Sequence, residues 1–490
     1  MTSGFLLGYR AIRSTKESLM RRHLIAAALG VLFCASGIAQ STAAESSPNF
    51  LFIIADDMGC HDCGPYGNQQ IRTPHLDRLA RQSMTFNRAF TATAMCAPTR
   101  QQLYTGVFPV RNGAYPNHSR VKRGTRSLVH HLQELGYRVG LVGKRHFGPT
   151  KSFPFEFLTP QLLTEFVTRK ADQPFCLVVA SNHPHAPWTE GPGDYNGEKL
   201  QLPEGFVDTP ETRAAYAAYC SEVTAFDDEV GESLELLRQN NLEKDTVVIA
   251  TSEQGPQFPA GKWTCYEYGL QVALIIRWPQ QIQAGSRTDA IVQYVDIAPT
   301  VVELAGGTPS KIDTGLMGAS DGGRGFDGRS FCEVLRGTTG KHNDWVFGIH
   351  TTRGIIAGSD YPIRSIRDGR YKYIRNLNSE STFNNIVTEK DQETFWRSWE
   401  REAKQNPMAA KFVSRYLKRP AEELYDLQTD PWEMTNLANS PEQQARIKQM
   451  GRRLEAWMQQ QGDRGITTEG EATLHRSRKR RKQATADERN

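Results

Sequence analysis

The chain has little of what a disulfide-built or repeating protein requires. Its 490 residues carry eight cysteines with no dense spacing. Cys60-x-x-Cys63 has the look of a zinc half-site or a redox pair, but no second pair follows it. Apart from Cys96, the cysteines therefore read as ordinary buried or loop thiols. No internal repeat is present, which sets aside repeat architectures. The net charge of +5 is modest, and much of the basic excess sits at the two ends, so no nucleic-acid partner is expected. Leu24 to Ala39 is apolar, yet it is short for a membrane span and runs into polar Gln40-Ser41, so no stable membrane anchor is expected.

The length suits one large domain with a smaller companion. Hydrophobic residues at 38% and charged residues at 23% belong to a globular, soluble chain. Arg21, Arg22 and His23 precede the apolar stretch, and Thr42-Ala43-Ala44 offers a small-residue cleavage site. Residues 1–44 thus read as a signal peptide, with Met20 as an alternative start, and the mature chain is expected to be periplasmic or secreted.

Short apolar runs at Asn49–Ala55, Tyr137–Val142, Phe175–Ala180, Thr246–Thr251 and Val272–Arg277 read as buried parallel strands. The clearest helix runs from about Pro210 to Asn240, with Thr209 as its cap. This alternation predicts a doubly wound α/β sheet flanked by helices over residues 45–344. Gly306–Arg329 reads as a long loop. From Trp345 the pattern changes. Tyr371–Asn378 alternates like a strand, Glu423–Asn439 reads as strand and turn, and Pro441–Gly462 is helical with Ile447, Met450, Leu454, Trp457 and Met458 on one face. A small α+β domain over 345–466 is expected, then a basic disordered tail over 467–490.

Ligands of open α/β sheets bind beyond the carboxyl ends of the strands. Asp56-Asp57, Lys144-Arg145-His146, His183-Pro184-His185 and Glu253-Gln254 each follow an apolar run, so acids, bases and histidines collect on one edge. Adjacent carboxylates repel unless a positive group lies between them. An Asp-Asp pair alone would be a turn or helix cap. With Glu253 and Gln254 it suggests an all-oxygen cation site, for Ca2+ or Mg2+ rather than zinc. Cys96 stands at a helix start, with Pro98 in the first turn and Arg100 one turn on. That position favours a thiolate and bound anions. A plain cysteine hydrolase is one reading, but it leaves the metal without a task.

Cys96-Ala97-Pro98-Thr99-Arg100, continued by Gln101 to Gly106, resembles the signature of the sulfatase family. The resemblance extends over nearly the whole mature chain. It implies an alkaline-phosphatase-like, mostly parallel sheet with a C-terminal domain containing an antiparallel sheet. It also implies that a formylglycine-generating enzyme converts Cys96 to formylglycine (3-oxoalanine). Asp56, Asp57, the modified Cys96, Glu253 and Gln254 fall on the metal positions. Arg100, Lys144, His146, His185 and Lys262 fall on the catalytic and sulfate-binding positions. Many family members have Asp then His or Asn where this chain has Glu253-Gln254, one methylene longer at each. The segments Val142–Phe157, Glu253–Lys262 and Tyr361–Asn378 are similar to the heparan N-sulfatase (sulfamidase) branch, which implies a sulfated saccharide, N-sulfated glucosamine included. The competing readings are an O-sulfatase on another sulfated polysaccharide, a phosphoesterase on the same fold, and a non-catalytic glycan-binding protein. The phosphoesterase would need a second metal cluster, and the glycan-binding protein leaves the filled catalytic set unexplained.

Overall fold

Asn49–Ala55 (β1) is apolar on both faces and buried from its second residue onward, which suits a strand covered on both sides. The computed structural model describes residues 47–475, apart from 171, 280, 319–321, 354, 356–358 and 390–393. The expected signal peptide and the basic run after residue 475 lie outside the described residues.

β1 sits near the middle of an eight-stranded sheet. The others are β2 (Met84–Phe86), β3 (Arg138–Gly143), β4 (Glu156–Leu158), β5 (Phe175–Ala180), β6 (Thr246–Ser252), β7 (Leu274–Arg277) and β8 (Ser286–Thr288). Their order is β8-β2-β7-β6-β1-β5-β3-β4. β1 pairs in parallel with β5 and β6, and β3 pairs in parallel with β5 and β4. Side chains of β1 alternate between two cores. Leu51, Ile53 and Ala55 pack with Tyr219, Val223 and Phe226 of the helix Pro210–Gln239, whereas Phe50, Phe52 and Ile54 pack with Leu132, Val301 and Val302. Helices therefore cover both faces, as a doubly wound sheet requires. Each large apolar side chain buried this way contributes about 1.5–3 kcal/mol. The central strands thus form a rigid base for whatever follows them.

One strand departs from expectation. Val272–Arg277 reads from the sequence as a parallel strand, but β7 is antiparallel to both β6 and β2, and Val272 belongs with Gln271 to a separate three-stranded sheet. A parallel strand needs a crossover to the far edge of the sheet. The segment from Glu253 to Leu270 instead stays at the carboxyl edge, so the chain can only return downward.

The second layer is antiparallel and four-stranded, with strands Val346–His350, Ile363–Arg367, Tyr371–Asn376 and Glu422–Asp426 in that order. The helix Gln444–Gln461 buries Ile447, Met450, Leu454 and Trp457 against it, the face predicted from their spacing. Residues 467–475, expected to open the disordered tail, are ordered. Ile466–Glu471 is helical and Thr468, Glu469 and Ala472 are buried. The Glu469 carboxylate accepts the Arg353 N–H, and the Thr468 carbonyl accepts the Tyr115 O–H. Among the described residues no helix is long and apolar enough to cross a membrane.

Candidate active site

The strand ends are locked together before any side chain is considered. Just beyond the strands, Asp56 N–H donates to the His183 carbonyl, Lys144 N–H to Ala180 and Glu253 N–H to Ala55. Four strand termini are thereby held in register at one edge. Asp57 has φ +71°, which breaks strand alternation. Both neighbouring carboxylates consequently face the same point: Asp56 Oδ1 lies 3.8 Å and Asp57 Oδ1 3.9 Å from Cys96 Sγ.

Cys96 opens the helix Cys96–Thr105, every residue of which is buried. Gly106 ends it in the left-handed region at φ +64°. Four residues into this helix, Arg100 sets its Nε 2.5 Å from Glu253 Oε2 and reaches the Lys144 carbonyl at 3.3 Å. Lys144 pairs with Asp56, and its Nζ is 3.8 Å from Glu253 Oε1. Lys262 Nζ lies 2.6 Å from Asp57 Oδ2 and 3.1 Å from His185 Nε2. His185 Nε2 is itself 3.6 Å from Asp57 Oδ2, and Nδ1 donates to the Ala186 carbonyl at 2.6 Å. That bond leaves Nε2 as the nitrogen that exchanges its proton.

Charge is thus divided between two lysines, one arginine and three carboxylates inside the protein. Burial, Glu253 and Cys96 raise Asp56 well above the ordinary carboxylate range. Burial would raise Glu253 too, but Arg100 and Lys144 overcome it and hold that carboxyl low. Burial and Glu253 oppose ionisation of Cys96, yet Lys144 and Lys262 leave its thiol lowered. Burial, then Lys144, pushes His146 down to about 3. It is therefore neutral near pH 7.

The donor set can hold a divalent cation. Asp56, Asp57, Cys96 and His185 bring potential ligand atoms within 4.8 Å of one another. Gln254 adds an amide whose Nε2 is 2.5 Å from Asp57 Oδ1 and 3.4 Å from Cys96 Sγ, while its buried Oε1 has no hydrogen-bond partner among the described residues. Turning that amide over would satisfy neither end without a cation, and would present an oxygen beside Asp57 to one. Glu253 stands in the same cluster, but one of its oxygens is committed to Arg100.

The catalytic and metal candidates read from the sequence meet here: Asp56, Asp57, Cys96, Arg100, Lys144, His185, Glu253, Gln254 and Lys262 around one point, and His146 beside them. His183 is structural, bound to Glu222, whose other oxygen also accepts the Gly191 N–H at 3.1 Å. Arg145 is exposed and lies over the Phe157 ring. The sequence reading missed His118, whose Nδ1 meets His146 Nε2. It follows no apolar run, so strand-end reasoning had no reason to select it.

A buried group flanked by two ammonium ions and two carboxylates, with a proton-exchanging imidazole at 35% side-chain exposure on the rim, is built to act on an anionic ester or amide. Residues 48–159 and 156–307 match the family model described as Sulfatase, and residues 260–406 match that described as N-sulphoglucosamine sulphohydrolase, C-terminal. An ulvan-active sulfatase of Formosa agariphila is 31% identical over 454 residues, 87% of this chain and 83% of that protein. The Homo sapiens N-sulphoglucosamine sulphohydrolase is 30% identical over 460 residues, 84% of this chain and 89% of that protein. A solved structure, described as a complex with its substrate D-glucosamine-2-N,6-O-disulfate, superposes with TM-score 0.63 at 20% identity, over 85% of this chain and 99% of that one, and so shares the fold. With more than half of its length matched by the family model and two relatives at 30% identity or above matched along most of their length, this chain belongs to the sulfatase family and is a hydrolase of sulfuric esters or sulfamates.

Proposed function

We propose that the protein hydrolyses the sulfamate of N-sulfated glucosamine in a sulfated saccharide. The observation that carries this reading is the match of residues 260–406 to the C-terminal model of N-sulphoglucosamine sulphohydrolase, in a chain that also resembles the human enzyme of that name along most of its length.

Formylglycine made from Cys96 by a formylglycine-generating enzyme would supply a hydrated-aldehyde oxygen as nucleophile, and a bound Ca2+ or Mg2+ would supply the positive charge that favours its ionised form. Asp56, Asp57 and Gln254 would hold the cation, with Glu253 closing the cluster. Lys144 and Lys262 offer ammonium groups to the sulfate oxygens and to the charge that grows on them. Arg100 fixes Glu253 and the start of its own helix, and so the orientation of position 96. His185 delivers the Nε2 proton to the departing nitrogen, since an amine leaves far more readily than an amide anion. His146, neutral near pH 7, would take the proton released when sulfate is expelled. Export to the periplasm or exterior, where such saccharides are met, follows from the basic and apolar N-terminus.

The test has two arms. Mass spectrometry of the tryptic peptide Ala89–Arg100 from the native host should find Cys96 converted to the aldehyde. An unmodified thiol there would leave the mechanism without its nucleophile. Sulfate release should occur from N-sulfated glucosamine. Release only from the O-sulfated sugar would instead favour the second reading, an O-sulfatase, which the 31% likeness to the ulvan-active sulfatase supports.

A further inference from the structure

A cleft of about 970 Å³ lies between the main sheet and the small antiparallel sheet, and none of the residues lining it belongs to the catalytic cluster. Its position follows from the topology. β2 is antiparallel to β7, and β7 is antiparallel to β6, so β2 ends on the same edge as β6 and β1. Asn87 and Arg88, which follow β2, line the cleft. The segment that carries Lys262 into the catalytic cluster continues to Glu267, Tyr268 and Gln271 in its wall. The far wall comes from Arg367 and Arg370 of the small sheet and from Trp432.

The lining has a definite chemistry. Three arginines and one carboxylate, Glu267, line the cleft; Glu267 is held by Lys372 at 2.9 Å and Arg367 at 3.3 Å, and Arg370 is paired with Asp426 at 2.6 Å, which leaves Arg88 as the arginine without a carboxylate among the described residues. Arg367 is 6% exposed, and its buried Nε and Nη1 have no hydrogen-bond partner among the described residues. Such donors are costly to leave unmet. Arg88 is half-buried, and among the described residues no ion pair or side-chain hydrogen bond engages its guanidinium. Around these charges stand Tyr66 and the edge-to-face pair Tyr268 and Trp432, with ring centroids 5.5 Å apart. Amides of Gln69 and Gln428 also border the space. An unpaired guanidinium fork suits a sulfate group, aromatic faces suit the apolar faces of sugar rings, and amides suit hydroxyls.

We infer that this cleft binds a sulfated stretch of the saccharide chain at a distance from the bond being hydrolysed. It rests on the reading of the substrate as a sulfated saccharide. Sulfate oxygens take the donors of Arg88, with the charge of Arg367 behind it, and a ring lies against Trp432. Longer chains are thereby held more tightly than single sugars.

The probe is a heparin octasaccharide, with its desulfated form and an ulvan octasaccharide alongside, titrated into the full-length protein by calorimetry. At least one sulfated octasaccharide should bind, Arg88→Gln should weaken it about tenfold, and desulfation should weaken it at least as much. Among the described residues the Arg88 side chain makes no ion pair or hydrogen bond that its loss would break, so the unfolding midpoint of Arg88→Gln should match that of the native chain. Hydrogen exchange should show protection at residues 66–70 and 427–432 on binding. Binding that ignores Arg88→Gln or desulfation, or no binding by any of the three, overturns the inference. Arg88-dependent binding without release of sulfate from any sugar would sink the substrate reading and leave the cleft standing. Sulfate release with binding indifferent to Arg88 would do the reverse.

Discussion

His118 Nδ1 lies 2.7 Å from His146 Nε2. Both backbones have positive φ, 58° and 24°, a region that costs side-chain-bearing residues about 1–3 kcal/mol each. The contact is continued by Asn117, whose Nδ2 is 3.4 Å from His118 Nε2 and whose Oδ1 accepts the Ala97 N–H at 3.4 Å. A chain of polar contacts therefore runs from the residue beside Cys96 to His146.

His118 is accordingly a positioning residue. His118→Ala should lower kcat by about 10–100-fold with little change in KM, while His146→Ala should cost about 10²–10⁴-fold. His118→Gln, which keeps a polar partner, should recover part of the loss. Steady-state kinetics on a monosaccharide sulfate decide it, and a His118→Ala enzyme with native kcat would remove His118 from the site.

His185 should matter in proportion to the basicity of the leaving group. An aliphatic amine or alkoxide must be protonated as it departs, whereas a nitrophenolate leaves without help. His185→Ala should therefore cost about 10²–10⁴-fold on an N-sulfated sugar and far less on nitrophenyl sulfate. Equal losses on both substrates would assign His185 to sulfate binding instead.

Much of this arrangement was legible because the parallel strands are nearly unbroken apolar runs. β1 and β5 have the limits read from the sequence, and Asp56, directly after β1, and His185, in the loop after β5, fall at the site. Periodicity carries no direction, so nothing in the apolar run of Leu274–Arg277 distinguished an antiparallel strand from a parallel one. His118 lies in a loop whose course is set by contacts with distant segments. The order of residues 466–475 likewise depends on distant partners, Arg353 and Tyr115. The Cys96 cluster was readable because a local motif and four strand ends agree. The cleft beside Trp432 was not, because its lining is drawn from widely separated segments, none with a motif of its own.

Gln254 supplies a test of the cation that does not depend on turnover. Added CaCl2 should raise the unfolding midpoint of the native chain, because a ligand that binds only the folded state stabilises it. Gln254→Leu keeps the volume but removes the amide oxygen, and it should shift the calcium titration to higher concentration by about tenfold. An unfolding midpoint that ignores calcium and magnesium alike would argue against a site made by Asp56, Asp57 and Gln254.

Glu469 gives a prediction about pH. Burial raises its carboxyl to about 7, against opposition from the Arg353 N–H and Arg364. Its Oε2 is buried without a hydrogen-bond partner among the described residues, as suits a protonated acid held by the helix Ile466–Glu471. Its unfolded value is near 4.5. Between those two values the folded chain binds more protons than the unfolded one, so stability falls as pH rises through 7. The contribution is fully present below about pH 4.5 and is lost above about pH 7. Glu469→Gln imitates the protonated form at every pH. Relative to the native chain, this variant should therefore gain in unfolding midpoint between about pH 5 and pH 8. A difference that stays flat across that range would mean that Glu469 is ionised in the folded state, and that Arg364 rather than burial governs it.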